Sequence, residues 1–391
     1  MVKSFQFSTL PRIYFKEGIL ADLPHLIKAY GNSVILVTGK HSFIDSENAG
    51  SLFLKLSETG TRYQTVIISE EPSPEIINQH VSRLSSESFD MVVSIGGGSV
   101  LDAGKAISAM MYKSNPVQDF LEGIGTMDHP GTKLPFIAVP TTAGTGSEAT
   151  KNAVLSRTGK GGFKRSLRHE KLVPDIALID PLLTLDCPPD ITSASGMDCF
   201  TQLTEAYLSD KSGEYTDALA IGGLKAIKRS LIQSYYEGQN RGARADMSFA
   251  ALTSGICLAN AGLGVVHGFA SSIGGLYKIP HGVICGTLMS LVNRVNVRRL
   301  REDPASQKVL KKYALLGELF LGSKGESDDY FIDGFLEYLD VLSAELRLPG
   351  LKESGIREMD LEEICKSTEN KNNPVKLGFD DLLEILTARF V

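Results

Sequence analysis

The sequence predicts an α/β domain built on a parallel, doubly wound sheet, followed by an all-α domain. Three observations predict it. Short β-branched runs alternate with helical stretches through the first half of the chain. Those runs are apolar at every position rather than at every second one. Strand signals then stop after Asp180-Pro181, and the segments beyond carry apolar stripes with a 3.6-residue period. At 391 residues the chain has room for two domains of ordinary size. The expected division is 1–183 and 184–391.

The expected strands are 34–38 (VILVT), 65–69 (TVIIS), 91–95 (MVVSI), 135–139 (PFIAV) and 176–179 (IALI). Unbroken apolar runs suit strands covered on both faces. Between them, 74–84 and 100–111 place apolar residues at helical spacing, completing βαβ units whose crossovers are right-handed. Pro181, Pro188 and Pro189 punctuate a connector. Beyond it the expected helices are 191–209, 216–236, 243–261, 282–297, 305–321, 330–346 and 379–390, with 322–329 as a polar surface loop.

Composition excludes several classes. With 42% hydrophobic and 22% charged residues, the chain is not a disordered one. Forty basic against forty-six acidic residues leave a net charge of −6, which speaks against a nucleic-acid partner. No apolar run approaches the roughly 18 residues of a membrane span, and the N-terminus lacks the apolar stretch of a secretory signal. Five cysteines with no CxxC pair read as reduced thiols in a cytoplasmic protein.

The strongest local signal is Ser94-Ile95-Gly96-Gly97-Gly98-Ser99, where a buried strand meets three glycines and a helix. Glycine lets a backbone approach a bulky anion, and the helix start adds free N–H groups and the positive end of its dipole. Ser99 could add a hydroxyl donor or cap the helix. A plain βα turn is the competing reading. G-x-G-x-x-G fails at Leu101, and the P-loop fails because Gly98 and Gly104 enclose five residues and Ala106 follows Lys105. A second loop, 140–150 (PTTAGTGSEAT), follows the fourth strand at the end where open α/β sheets bind ligands. It offers Thr141, Thr142, Thr145 and Ser147 as donors. Two phosphate-type loops on neighbouring strand ends favour a dinucleotide.

The helical half holds a third constellation. Asp198 and Gln202 are four residues apart, hence on one helical face. His267 and His281 each stand beside glycine in apolar surroundings. Carboxylate and imidazole together suit a borderline divalent metal; two hydrogen-bonded core histidines and a capping Asp are the alternative. The basic run Lys160, Lys164, Arg165, Arg168 and Lys171 reads as a solvated loop, one member of which could reach an anionic cofactor.

These residues resemble the iron-containing (group III) alcohol dehydrogenase family over almost the whole chain. The matching segments run in order from Pro11–Gly18 through Gly96–Ser99 with Asp102 and Lys105. Then come Pro140–Glu148, Pro174–Pro181, Gly196–Asp198, the two histidine segments and Asn373-Pro374. The resemblance implies the dehydroquinate synthase-like fold, with the active site between a dinucleotide-binding domain and a helical domain, and a dimer or higher homo-oligomer. The implied reaction is hydride transfer between NAD(P) and a small alcohol or aldehyde. Gly97, Gly98 and Ser99 would cradle the pyrophosphate. Asp102, Thr141, Thr142, Thr145, Ser147 and Lys164 match positions around the nicotinamide half.

Asp198, His267 and His281 match three of the family's four ligands for Fe(II) or Zn. Gln202 stands where the fourth, a histidine, belongs, and its amide oxygen is the expected substitute donor. Ser271 replaces a further active-site histidine, so no general acid or base is assigned. The Gln202 change also keeps open a metal-free reductase similar to the maleylacetate reductases, and the two missing histidines a nucleotide-binding protein without turnover. At the end of the first strand, Thr38-Gly39-Lys40-His41-Ser42 holds no acid to bind a ribose 2′-hydroxyl. Gly39, Lys40 and Ser42 therefore point to NADP over NAD.

Overall fold

The structure, a computed structural model, describes residues 4–390. The first part runs β1 (Arg12–Phe15), α1 (Leu23–Lys28), β2 (Ser33–Gly39), α2 (Glu47–Glu58), β3 (Arg62–Ile68), α3 (Pro74–Leu84), β4 (Met91–Gly96) and α4 (Gly98–Met110). Then follow β5 (Phe136–Pro140), β6 (Asn152–Arg157), β7 (Phe163–Arg168) and β8 (Ile176–Ile179). Six strands form one parallel sheet in the order β1-β8-β5-β4-β2-β3. The expected apolar runs are its core. Along β2, Ile35 and Val37 join the cluster under α3 and α4, while Val34 and Leu36 join the one under α1 and α2. Each such side chain contributes about 1.5–3 kcal/mol by burial. A two-sided environment is thus what makes these strands apolar at every position.

The winding direction reverses between β2 and β4. β2 leads outward to β3, and β4 leads inward to β5. The crevice above such a reversal, at the C-terminal strand ends, is where open α/β sheets take ligands. Gly39 and Gly96–Gly98 sit at those two ends.

β6 and β7 are an antiparallel hairpin packed between α4 and the second part of the chain. This overturns the expectation of a loop for 163–168, while Lys160 and Lys171 lie exposed outside the strands. Lys164 is mostly buried against Glu71, and Arg165 and Arg168 pair with Glu369 and Glu122. The pattern was missed because strand charges paired across space look, in sequence, like charges facing water.

The second part is helical: α5 (Pro189–Leu208), α6 (Glu214–Tyr236), α7 (Arg241–Ala261), α8 (Val265–Leu276), α9 (His281–Glu302), α10 (Gln307–Leu321), α11 (Asp328–Glu345), α12 (Leu361–Ser367) and α13 (Phe379–Arg389). α8 and α12 carry no clear sequence signal; α8 is short, glycine-rich and begins after Gly264, which has no side chain to cap it. α5 is the axis of this part. From Thr192 to Leu208 every residue but Ser195 is buried, against α6, α7 and α9. Polar groups on such a helix must find partners inside the protein.

Candidate active site

α5 turns Asp198, Gln202 and Glu205 to one face, at i, i+4 and i+7. α8 brings His267 and α9 brings His281 to the same point. The approach of α9 to α5 is close because residue 282 is glycine: a Cβ there would stand 2.0 Å from the carbonyl oxygen of Ala194. His267 Nε2 lies 3.3 Å from Asp198 Oδ1, and His281 Nε2 lies 3.8 Å from the same oxygen. Cys285, one turn after His281, completes the group, its Sγ 3.7 Å from His267 Nε2.

Electrostatics fit a cation. Burial works to raise the Asp198 carboxyl, yet the adjacent His281 and His267 rings and the Gln202 amide hold it down at about 2. Burial pushes His281 down to about 3, so its ring is neutral and free to donate a lone pair. His267, whose burial works the other way, is raised well above its ordinary value by Cys285, Glu205 and Asp198. A carboxylate, two imidazoles and a thiol converging at one point, three of them buried and His281 part-exposed, are a donor set for a divalent ion.

Glu205 supports this cluster, and sequence reasoning missed it. Its Oε1 accepts from Val266 N at 2.7 Å, and its Oε2 is 2.6 Å from His267 Nδ1. One carboxylate therefore caps the start of α8 and orients the His267 ring so that Nε2 faces Asp198, the usual outer partner of a ligating histidine. Its spacing of seven from Asp198 was the available signal. Asn373 also holds this helix start, with Oδ1 3.4 Å from Val265 N.

Gln202, the expected fourth donor, stands beside Asp198 on α5. Its Oε1 accepts from Ser254 Oγ at 3.1 Å, and its amide faces Asp198 as a hydrogen-bond donor. Next to a carboxylate, an amide must present N–H rather than oxygen. Ser271 donates to the His267 carbonyl at 2.8 Å. Beside it, 3.4 Å from its Oγ, is Lys371, a left-handed residue at φ 50° that the sequence did not single out.

The two phosphate-type loops meet. A Cβ on Gly98 would collide with Thr145 Cγ2 at 2.6 Å, and one on Gly97 would touch Thr142 at 3.4 Å. Gly97 is the cap of α4 and no side chain satisfies the first N–H groups there, so Ser99 lies in the first turn and does not cap. Gly97, Gly98, Ser99, Thr142 and Thr145 are all part-exposed at the crevice. Gly39, exposed Lys40 and exposed Ser42 line its β2 side. Thr141 and Ser147 are buried below.

Asp102 and Ser147 are engaged inside the protein instead. Asp102 accepts from Ser147 Oγ at 2.5 Å and Val154 N at 3.1 Å. Lys105 Nζ donates to Ser147 O, Ser147 Oγ, Thr150 Oγ1 and Asn152 O within 3.1 Å. Lys164 Nζ is held by both Glu71 oxygens, at 2.7 and 2.9 Å. Ser254 joins the threonine loop to the metal-type cluster, since its hydroxyl also reaches Gly144 O at 3.4 Å. The dinucleotide-type crevice and the carboxylate–imidazole cluster are therefore neighbours across one cleft.

Fold and site define a nicotinamide-dependent oxidoreductase with a divalent-metal centre. Residues 11–181 match the model of iron-containing alcohol dehydrogenases, and 192–390 match that of the C-terminal region of Fe-containing alcohol dehydrogenases. The chain belongs to the iron-containing alcohol dehydrogenase family, enzymes that act on CH–OH groups with NAD(P) and a divalent metal. It is 30% identical over 387 residues to alcohol dehydrogenase 4 of Saccharomyces cerevisiae, covering 97% of both chains. It is 32% identical over 384 residues to 1,3-propanediol dehydrogenase of Citrobacter freundii, covering 94% of this chain and 96% of that one. The solved alcohol dehydrogenase of Oenococcus oeni superposes with a TM-score of 0.88 at 28% identity, covering 99% of this chain and all of that one. Among the described residues, no single helix is long and apolar enough to cross a membrane.

Proposed function

We propose that the enzyme is an NADP-preferring aldehyde reductase and alcohol dehydrogenase for small substrates, with Fe(II) or Zn held by Asp198, His267 and His281. It works in the cytoplasm as a homodimer or higher homo-oligomer, with 1–183 as the dinucleotide-binding domain and 184–391 as the metal and substrate domain. The observation that carries the reading is the Asp198–His267–His281 cluster, within 3.8 Å of a shared oxygen and linked to the threonine loop through Gln202 and Ser254.

The bound ion supplies Lewis-acid polarisation of the reacting oxygen, and the nicotinamide supplies or accepts the hydride. The protein's part is placement. Gly97, Gly98 and Ser99 present uncapped N–H groups at the positive end of the α4 dipole to a pyrophosphate. Thr142 and Thr145 wall the turn from the other side. Glu205 holds the His267 ring through Nδ1, leaving Nε2 for the ion. Burial of Asp198 and His267 keeps competing water from their donor atoms.

Protein purified without chelator is expected to carry about one ion per chain and to oxidise NADPH with small aldehydes. Full activity with less than about a tenth of an ion per chain would reject the metal assignment.

The nucleotide preference has its own test. Lys40 and Ser42 are exposed beside Gly39, where a 2′-phosphate would lie, and a Cβ on Gly39 would meet nothing nearer than 3.7 Å. Gly39→Asp is therefore sterically tolerated and places a carboxylate against that phosphate. The ratio of kcat/KM for NADPH over NADH is expected to exceed one in the native enzyme and to fall at least about tenfold, roughly 1.4 kcal/mol, in the variant. A native preference for NADH would overturn the assignment.

A further inference from the structure

The metal-type cluster contains a fourth donor that neither the chain's motifs nor its relatives' names point to. Cys285 is buried on α9 one turn after His281, so the two side chains share a helical face. The donor atoms of Asp198, His267, His281 and Cys285 all lie within 4.8 Å of one another. A tetrahedral ion with bonds of about 2.0–2.1 Å to N or O and about 2.3 Å to S has ligand-to-ligand edges of about 3.3–3.6 Å. The edges here are 3.3 Å for His267 to Asp198, 3.8 Å for His281 to Asp198 and 3.7 Å for Cys285 to His267. Three pairs, on three helices, thus lie within a few tenths of an ångström of a metal tetrahedron.

The competing donor is turned away. Gln202 turns its amide N–H to Asp198, which leaves Oε1 facing Ser254 Oγ at 3.1 Å, a hydroxyl that also has the Ala251 carbonyl at 2.8 Å. We propose that Cys285, not Gln202, is the fourth protein ligand, making an Asp–His–His–Cys set that selects zinc over iron. This rests on the metal reading above and adds to it the identity of one ligand and the softness of the site. On binding, the thiol proton leaves to solvent and the sulfur lone pair bonds the ion; no electron is transferred. Thiolate and carboxylate together neutralise a divalent charge. Sulfur also favours a softer ion over one that an oxygen or imidazole would suit equally.

Cobalt(II) reads the ligand directly. The full-length enzyme, stripped of metal and reloaded with cobalt chloride, is expected to show a thiolate-to-cobalt charge-transfer band in the near ultraviolet beside its visible ligand-field bands. Cys285→Ser should lose the charge-transfer band and keep ligand-field absorption, while Gln202→Ala should keep both. In competition with a chromophoric chelator, Cys285→Ser should lose more than about 100-fold in zinc affinity, beyond the 10–100-fold typical of an outer-sphere change. Gln202→Ala should stay within that range.

Ligand-field bands without charge transfer in the native protein would overturn the Cys285 assignment and leave the metal reading standing. So would a charge-transfer band that survives Cys285→Ser. No cobalt uptake at all would overturn both. Because the first of these outcomes needs only the native protein, the proposal stays testable if the serine variant fails to fold.

Discussion

His267→Ala is expected to lower kcat for aldehyde reduction about a thousandfold and to leave nucleotide binding intact. His267 is the junction of the site. Its Nε2 faces Asp198 at 3.3 Å and Cys285 at 3.7 Å, and its Nδ1 is held by Glu205 at 2.6 Å. Removing the ring takes away one donor and strands the Glu205 oxygen that oriented it, while the other Glu205 oxygen still caps α8 through Val266. The loss corresponds to about 4 kcal/mol, the scale of a Lewis acid's stabilisation of charge on oxygen. Metal content should fall with kcat. The Kd for NADPH, followed by the nucleotide's own fluorescence in a chain without tryptophan, should change by less than about threefold, under 1 kcal/mol. A variant that keeps its turnover would favour the metal-free mode of reduction that Gln202 first suggested.

Lys105→Met is expected to destabilise the first domain by about 3–5 kcal/mol, as judged by urea denaturation. Lys105 is fully buried at the heart of α4, and its ammonium donates to Ser147, Thr150 and Asn152. Burial pushes it down to about 8, and pushes its buried neighbour Glu148 up to about 7. Methionine fills much the same volume but donates nothing. Four acceptors lose their donor at once, and Asp102 loses the cation that opposes its desolvation. The loop 140–150 depends on this anchor, so the KM for nucleotide should rise together with the loss of stability. An unchanged denaturation midpoint would show that the network contributes nothing to the fold.

Much of this was legible without coordinates. Five of the six strands of the parallel sheet and most of the long helices announce themselves because two-sided burial and one-sided burial leave different periods. Glycines at strand ends marked the crevice, and Asp198, His267 and His281 stood out by type and surroundings. The β6–β7 hairpin did not, since its Lys164, Arg165 and Arg168 are matched by Glu71, Glu369 and Glu122, each far away in the chain. α8 was hidden by its glycines and by a start that is capped by Glu205 from another helix.

From order alone came the two-part architecture, the dinucleotide-type loops and three members of the carboxylate–imidazole cluster. Tertiary packing decided the rest: that Gln202 gives its oxygen to Ser254, that Glu205 aims His267, and that Cys285 joins the cluster. The reason is physical. Spacing along a helix tells which side chains share a face, as Asp198 shares one with Glu205 and His281 with Cys285. Which faces meet is set by how closely two backbones can approach, and here Gly282 against the Ala194 carbonyl sets it.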